Sequence, residues 1–247
     1  MELLSSMLII KIAFAWTFLF TIFLLLFRQR FIDLGNNKNK ILNNKTKMYI
    51  FIIFTIPIII STLYLSITTV SENIVSVTKG PVHWHADYEV WACGEKLDLI
   101  DPKFPRNKIG TPLLHEHNDD RIHVEGTVKN LESVSLSEYF KVIGGLLSED
   151  NLTYQTNEKI VSYQNSQKCS DNSNGKIKVY VNGNKIDDYE NYLIYPDSYA
   201  PPGDCIIIEF SSKESEETDR LCSSWKSKGW IYKEFKRKEK TIGEKMW

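Results

Sequence analysis

The histidines of this 247-residue chain are the residues whose type and spacing point most directly to chemistry. All of them fall between positions 83 and 123, and they are His83, His85, His115, His117 and His123. Four of the five form two His-x-His pairs. Side chains two positions apart on a strand point to the same side, so each pair would present two imidazole rings to one point. Three or four convergent imidazoles are typical ligands of zinc, copper, nickel or ferrous iron.

This spacing predicts a site for one divalent transition metal ion, zinc or copper. The two pairs are the preferred ligands, and His123 either replaces one of them or supports a ligand from behind. Acidic neighbours offer an extra ligand or an acceptor for the second ring N–H; they are Asp87, Glu89, Glu116, Asp119, Asp120 and Glu125. The alternative is a hydrogen-bonded histidine network or a pH-responsive surface. A blue-copper centre is not expected, since the cluster has no methionine and only Cys93 nearby.

Two classes of function fit such a site. The first is a non-enzymatic module that handles or senses a metal, or uses it as a structural staple. The second is a metal-dependent enzyme, a hydrolase or cupin-like oxygenase, with Glu89, Glu116 or Glu125 as general base. The sequence has no G-x-S-x-G, P-loop or G-x-G-x-x-G motif, so it assigns no catalytic residue and favours the non-enzymatic class. A formal net charge of -1 argues against nucleic acid as a partner, because phosphate binding needs a basic surface.

The N-terminal part of the chain contains two apolar runs. The first extends from Met7 to Phe27 and is interrupted by Lys11, and the second extends from Met48 to about Val70 and contains Pro57. Each run is long enough for a helix that crosses a bilayer, which takes roughly 20 residues. Residues 1–72 are therefore predicted to form a transmembrane helical hairpin that has the lipid bilayer as its partner.

The loop between the two runs sets the predicted orientation. It carries one acid, Asp33, against six basic residues, which are Arg28, Arg30, Lys38, Lys40, Lys45 and Lys47. By the positive-inside rule this loop is cytoplasmic, and everything after about Ser71 lies outside the cytoplasm. The alternative is that the first run is a cleaved signal peptide; no small-x-small cleavage site precedes the basic loop, which favours the hairpin in a multi-pass membrane protein.

Residues 73–212 have the pattern of a mainly β extracytoplasmic α+β domain that begins after a polar linker, Ser71–Gly80. The stretch His83–Leu99 alternates well between polar and apolar residues, with a turn at Gly94, and predicts a hairpin. A turn over Asn118–Asp120 and a strand from Arg121 to Glu125 follow. Residues 213–247 are predicted to be a charged tail or helix, within which Glu214–Lys226 forms a surface helix tethered through Cys222.

The second half of this domain is predicted to contain one helix and two strands. Ser135 is a suitable N-cap for a helix over Leu136–Ile143, which Gly144 and Gly145 would end. A strand leads from Gly175 into an Asn-Gly turn, and Cys205–Phe210 forms the last strand. Roughly five strands and one helix in this order suggest a β-grasp-like module, with a small sandwich or barrel as the alternative.

The four cysteines all follow the second apolar run. They are Cys93, Cys169, Cys205 and Cys222, and none is arranged as C-x-x-C. An even number of cysteines in an extracytoplasmic domain predicts two disulfides. Three connectivities are open, and spacing does not choose among them.

Two stretches, HWHADYEVWACGE and GTPLLHEHNDDRIHVEG, resemble those of uncharacterised membrane-anchored proteins from prokaryotes. That group has H-x-H, then L-H-x-H-x-D-x-x-I-H-x-E, then a V-x-V-N-G strand, and the resemblance covers most of residues 80–210. It implies a shared fold and a shared metal site, and it brings no known activity. The chain also resembles the cupins in its H-x-H motif, but it has a second H-x-H and lacks the flanking glycine pattern.

Overall fold

The computed structural model describes residues 8, 11–23, 44–194, 203–213 and 220–227. The chain divides into two compact units, Met1–Glu72 and Asn73–Trp247. Most of the predicted basic loop, residues 24–43, and most of the predicted C-terminal tail lie outside the described residues. Within the tail, a helix was predicted over Glu214–Lys226, and the described residues are α-helical only over Ser223–Ser227, not over Arg220–Cys222.

The first unit contains two helices, α1 (Lys11–Phe23) and most of α2 (Asn44–Val75). From Met48 onward α2 is long and apolar enough to cross a membrane, and it is the only such helix in the part of the chain that the structure describes. Helix α1 is apolar but shorter. Most of the large apolar side chains of α2 from Met48 onward are exposed.

Helix α2 continues five residues beyond Val70, so the prediction that Ser71–Gly80 is entirely linker was wrong. The end of an apolar run does not by itself end a helix. Ser71–Val75 contains no glycine or proline, and the first strong breaker is the Gly80–Pro81 pair.

The described part of the second unit has eleven strands and three short helical segments. The strands are β1 (Pro81–Ala92), β2 (Glu95–Leu97), β3 (Ile109–Gly110), β4 (Leu114–Glu116), β5 (Arg121–Thr127), β6 (Leu146–Leu147), β7 (Asn151–Gln155), β8 (Ile160–Gln164), β9 (Lys176–Val181), β10 (Asn184–Ile186) and β11 (Cys205–Ser211). The helical segments are a 3-10 turn (Leu131–Val134), α3 (Leu136–Val142) and α4 (Ser223–Ser227). This unit is an α+β domain built mainly of β-sheet, as predicted.

The main sheet has the order β10-β9-β11-β1-β5-β4-β3. Strand β1 lies at its centre, parallel to β11 and antiparallel to β5, and the end of β1 also pairs with β2. A second sheet has the order β6-β7-β8. Within the main sheet, β1 therefore joins the strands β10, β9 and β11 on one side to β5, β4 and β3 on the other.

The core lies on one face of the main sheet, where α3 and the second sheet contribute to one apolar cluster. Alternate residues of β1 are buried there, among them Ala86, Tyr88 and Val90. The Tyr88 hydroxyl lies 3.0 Å from that of Tyr154, and its ring packs edge-on against Tyr139. The opposite face carries a smaller cluster around Trp225 of α4.

Several predicted elements are confirmed. The β1-β2 hairpin turns at Gly94, and the Ser135 side chain accepts a hydrogen bond from the Glu138 N–H at the start of α3. The turn between β9 and β10 has positive φ at both Asn182 and Gly183, as an Asn-Gly hairpin requires. Two disulfides are present, and the connectivity is Cys93–Cys169 and Cys205–Cys222.

The expected number of strands was too low. The unpredicted strands are β3, β4, β6, β7, β8 and β10. Four of them have two or three residues, which is too short for a hydrophobic period to register. Strands β7 and β8 alternate between more and less buried positions, but polar residues occupy much of both strands, so their sequences read as loop.

Candidate metal centre

Three neighbouring strands bring the histidines together. In the strand register, His85 of β1 is opposite His123 of β5, and His123 is opposite His115 of β4. His83 is opposite Glu125 in the same way. Directly opposed side chains on one sheet face lie about 5 Å apart. The register therefore places a row of three imidazoles beside a histidine and a carboxylate, on the face opposite the main core.

The ring positions show that the five histidines form one connected cluster. The ring of His123 lies at its centre, with centroids 4.6 Å from His85, 4.9 Å from His117 and 5.5 Å from His115. The two His-x-His pairs are equally close within themselves, at 4.7 Å and 4.8 Å. From the sequence, the two pairs were the preferred ligands and His123 was a substitute or a support, whereas the structure places the His123 ring between the two pairs.

The donor atoms fall into two groups that could each hold a metal ion. One group consists of His115, His117, His123 and Glu125, and the other consists of His83, His85 and His123. Within each group, one ligand atom per residue lies within 4.8 Å of every other. His123 belongs to both groups.

Glu125 is the acid that lies among the histidines. Its Oε1 atom lies 3.1 Å from His83 Nε2 and 3.9 Å from His123 Nδ1. Its Oε2 atom lies 3.6 Å from His115 Nε2. One carboxylate thus faces donor atoms of both groups, which the sequence, with six candidate acids, did not single out.

Two histidines bury nitrogen atoms that lack hydrogen-bond partners. His115 is fully buried, and neither of its ring nitrogens has a hydrogen-bond partner among the described residues. The Nδ1 atom of His123 is likewise buried without one in this part of the chain. Each such atom costs about 1–3 kcal/mol of desolvation. A neutral imidazole has one lone pair, so a metal ion would satisfy one nitrogen of His115 and the Nδ1 atom of His123, while the second His115 nitrogen carries a proton and needs an acceptor.

Hydrogen bonds fix which nitrogen of two rings can bind a metal. His123 Nε2 lies 3.2 Å from Asp119 Oδ2, and a carboxylate only accepts, so the lone pair of His123 resides on Nδ1. His117 Nδ1 donates to the Asn107 carbonyl at 2.7 Å, so its lone pair resides on Nε2. A metal-ligating histidine typically donates its other N–H to a carboxylate or carbonyl in this way.

The turn before β5 positions Asp119. Glu116 is buried, and its Oε1 atom accepts hydrogen bonds from the backbone N–H groups of Asp119 and Asp120. Asn118 and Asp120 adopt φ of 66° and 55°, a conformation that Asn and Asp tolerate well. Glu116 therefore shapes the turn, and Asp120 is engaged by Lys96 at 2.6 Å.

The electrostatics keep the buried rings neutral near pH 7. Burial, with the nearby Lys108 ammonium, lowers the pKa of His115 to about 4. Burial and the neighbouring His123 lower the pKa of His85, and burial lowers that of His123. A neutral imidazole offers a lone pair, so these rings need not lose a proton before they bind an ion.

The acids at the other end of β1 have a structural role. Arg121 Nε donates to Asp87 Oδ1 at 2.7 Å, and the Ser224 hydroxyl donates to Asp87 Oδ2. The Ser223 backbone N–H donates to Glu89 Oε1 at 2.6 Å. Both carboxylates thus hold α4 against the sheet, and neither belongs to the groups that could hold a metal.

No family model, curated protein or solved structure matches the chain. Function is therefore argued from the geometry of this site and from the sequence.

Proposed function

We propose that this chain is a membrane-anchored protein whose extracytoplasmic domain binds a transition metal, zinc or copper, through its histidine cluster. Its role is non-enzymatic: it handles, senses or is stabilised by the metal. The observation that carries this proposal is the fully buried His115, whose two ring nitrogens lack a hydrogen-bond partner within the described residues. Buried polar atoms without partners are rare in native proteins and call for an explanation such as an ion.

The donor set supports the choice of metal. His115, His117, His123 and Glu125 offer three nitrogens and one oxygen, which suits a tetrahedral zinc ion. Imidazole also suits copper. Oxygen-rich sites of the kind that calcium and magnesium prefer need more carboxylates than the cluster supplies.

The proposed location rests on α2, the basic loop and the disulfides. Helix α2 is long enough to span, and the ring of Phe20 in α1 stacks on Phe54 in α2, which supports a two-helix hairpin. The basic residues between the helices favour a cytoplasmic loop. Two disulfides support an oxidising compartment for the domain.

The sheet order supports a β-grasp-like module. Strands β1 and β11 lie side by side in parallel, with β5 antiparallel to β1 and β9 antiparallel to β11. In sequence, α3 follows β1 and β5 and precedes β9 and β11. Fold alone does not assign a function, so the metal site carries the proposal.

Metal content of the full-length protein in detergent tests this proposal. After loading with zinc or copper and gel filtration, we expect elemental analysis to find bound metal in the native protein. His117→Asn and Glu125→Gln should lower that content or weaken its retention. Glu132→Gln, which changes an exposed glutamate away from the cluster, should not. A native protein that retains neither metal would refute the proposal.

A metal-dependent enzyme is the second candidate, favoured by the exposure of one side of the cluster. The His83 side chain is 64 % exposed, so water or a substrate can approach from that side. Of the three glutamates considered as general base, Glu125 is the one whose carboxylate lies beside the histidines. Azide added to the cobalt-loaded protein tests this: a changed visible spectrum indicates an open coordination position, and an unchanged one indicates a closed site.

A further inference from the structure

The cluster contains more donors than one ion can use. Five histidines and Glu125 supply six ligand residues, whereas a zinc ion bound by protein usually takes three or four. The surplus ligand residues could serve as hydrogen-bonding support for a single metal ion. The distances between the donor atoms favour two metal positions instead.

The spacing of the donors separates the two groups. Two ligands of one ion can be no farther apart than twice the bond length, which is roughly 4.2 Å for zinc and nitrogen. Even at a more generous limit of 4.8 Å, the described donor atoms form two sets, and neither set contains both His-x-His pairs. Only His123 belongs to both sets. The pair of His83 and His85 therefore lies around a different point from the pair of His115 and His117.

Glu125 lies between these two points. Its Oε1 atom is beside His83 Nε2 at 3.1 Å, and its Oε2 atom is beside His115 Nε2 at 3.6 Å. A carboxylate that directs one oxygen toward a histidine of each group has the orientation of a bridging ligand. Glu125 belongs to the inner group and approaches the outer group at His83, so a bridge requires the His85 ring to move toward Oε1. Ions in two-metal sites lie about 3.5–4 Å apart.

We propose that the cluster holds two transition-metal ions bridged by the Glu125 carboxylate. His115 and His117 bind the inner ion, His83 and His85 bind the outer ion, and His123 Nδ1 completes one of the two. This inference rests on the proposed function and extends it from one ion to a two-metal centre. Because His115 is fully buried and His83 is exposed, a chelator should remove the outer ion first and the inner ion more slowly.

Stoichiometry of the full-length protein in detergent is the first test. After saturation with zinc and gel filtration, we expect two zinc ions per chain. The double variant His83→Asn/His85→Asn should retain one, and the control Glu132→Gln should retain two. One ion per chain in the native protein would overturn this inference and leave the proposed function intact, whereas no retained ion would overturn both.

Copper paramagnetic resonance of the native protein and of the double variant is the second test. Two copper(II) ions joined by a carboxylate interact magnetically, so the signal of the saturated native protein should account for much less than its copper content. The double variant should regain a full signal from its one remaining ion. A native signal that accounts for all the bound copper, with the line shape of isolated ions, would overturn the two-metal centre even at a stoichiometry of two.

Discussion

One face of the main sheet buries ionisable groups at two ends, and the two ends treat them differently. The acidic end consists of Asp87 and Glu89, and the histidine end consists of His115 and His123. At the acidic end, each carboxylate accepts hydrogen bonds from α4, and Arg121 pairs with Asp87. At the histidine end, three ring nitrogens are buried without hydrogen-bond partners among the described residues.

This difference distinguishes an end that stabilises the fold from an end that is suited to binding an ion. The Cys205–Cys222 disulfide tethers α4 over the acidic end, where groups of the protein itself donate hydrogen bonds to both carboxylates. The histidine end keeps its neutral donors aimed at one another and at Glu125. A buried polar group with its partners in place stabilises the fold, whereas one without them costs stability and suits an external ion.

Asp87→Ala should give the largest effect on stability, because it removes the partner of Arg121 and Ser224 together. Loss of one member of a buried pair costs about 3–5 kcal/mol. We expect the free energy of unfolding of the metal-free protein to fall by an amount approaching that range, measured by denaturant titration with tryptophan fluorescence as the probe. Metal uptake by the folded fraction should persist.

The matched control is Asp187→Ala, since Asp187 is exposed. Its free energy of unfolding should stay within about 0.5 kcal/mol of the native value. If Asp87→Ala also behaved in that way, the two ends of the sheet face would not differ as described.

His115→Leu should raise the free energy of unfolding of the metal-free protein, whereas Asp87→Ala should lower it. Leucine fills a similar volume and removes two buried nitrogens that lack partners, so the metal-free protein should gain about 1–2 kcal/mol of stability at pH 7. Metal uptake should fall in the same variant. A metal-free variant that is destabilised as strongly as Asp87→Ala would show that His115 is a structural residue.

Lowering the pH should increase the stability difference between His115→Leu and the native protein. The folded pKa of His115 is about 4 and the ordinary value is 6.5, so between these values the unfolded chain binds a proton that the folded chain does not. Stability from the neutral ring is therefore present above pH 6.5 and is lost as the pH falls toward 4, by up to about 3 kcal/mol. The stability gap between His115→Leu and the native protein should widen over this range.

The sequence predicts the ligand types and misses their relative placement. The alternation from His83 onward predicted the two faces of β1 correctly, since a period of two determines which side chains share a side. The Asn-Gly turn and the Ser135 cap are local signals and were also reliable. The predicted hairpin of two membrane spans remains a proposal, because only α2 has sufficient length within the described residues.

The central position of His123 could not be deduced in advance. It depends on β4, a three-residue strand with no detectable period, and on the register that sets His123 opposite both His85 and His115. The choice of Glu125 among six acids depends on the same register. Cross-strand register is a long-range property, whereas the patterns in the sequence are local.

Asp119→Asn should give the smallest effect and concerns the support of a ligand. The Asp119 carboxylate accepts from His123 Nε2 and so leaves Nδ1 free for a metal. An amide is a weaker acceptor and also offers a competing donor, so the preferred tautomer of His123 is held less firmly. Loss of such support lowers metal affinity by about 10-fold. Competition with a chromophoric chelator should detect this change.

The adjacent Asp120→Asn is the matched control. Asp120 pairs with Lys96 and adopts positive φ, which asparagine tolerates, so neither metal affinity nor the turn should change. Equal affinities for the two variants would mean that Asp119 does not orient His123. A loss in Asp119→Asn alone would show that the histidine end contains oriented ligands, as the acidic end contains paired charges.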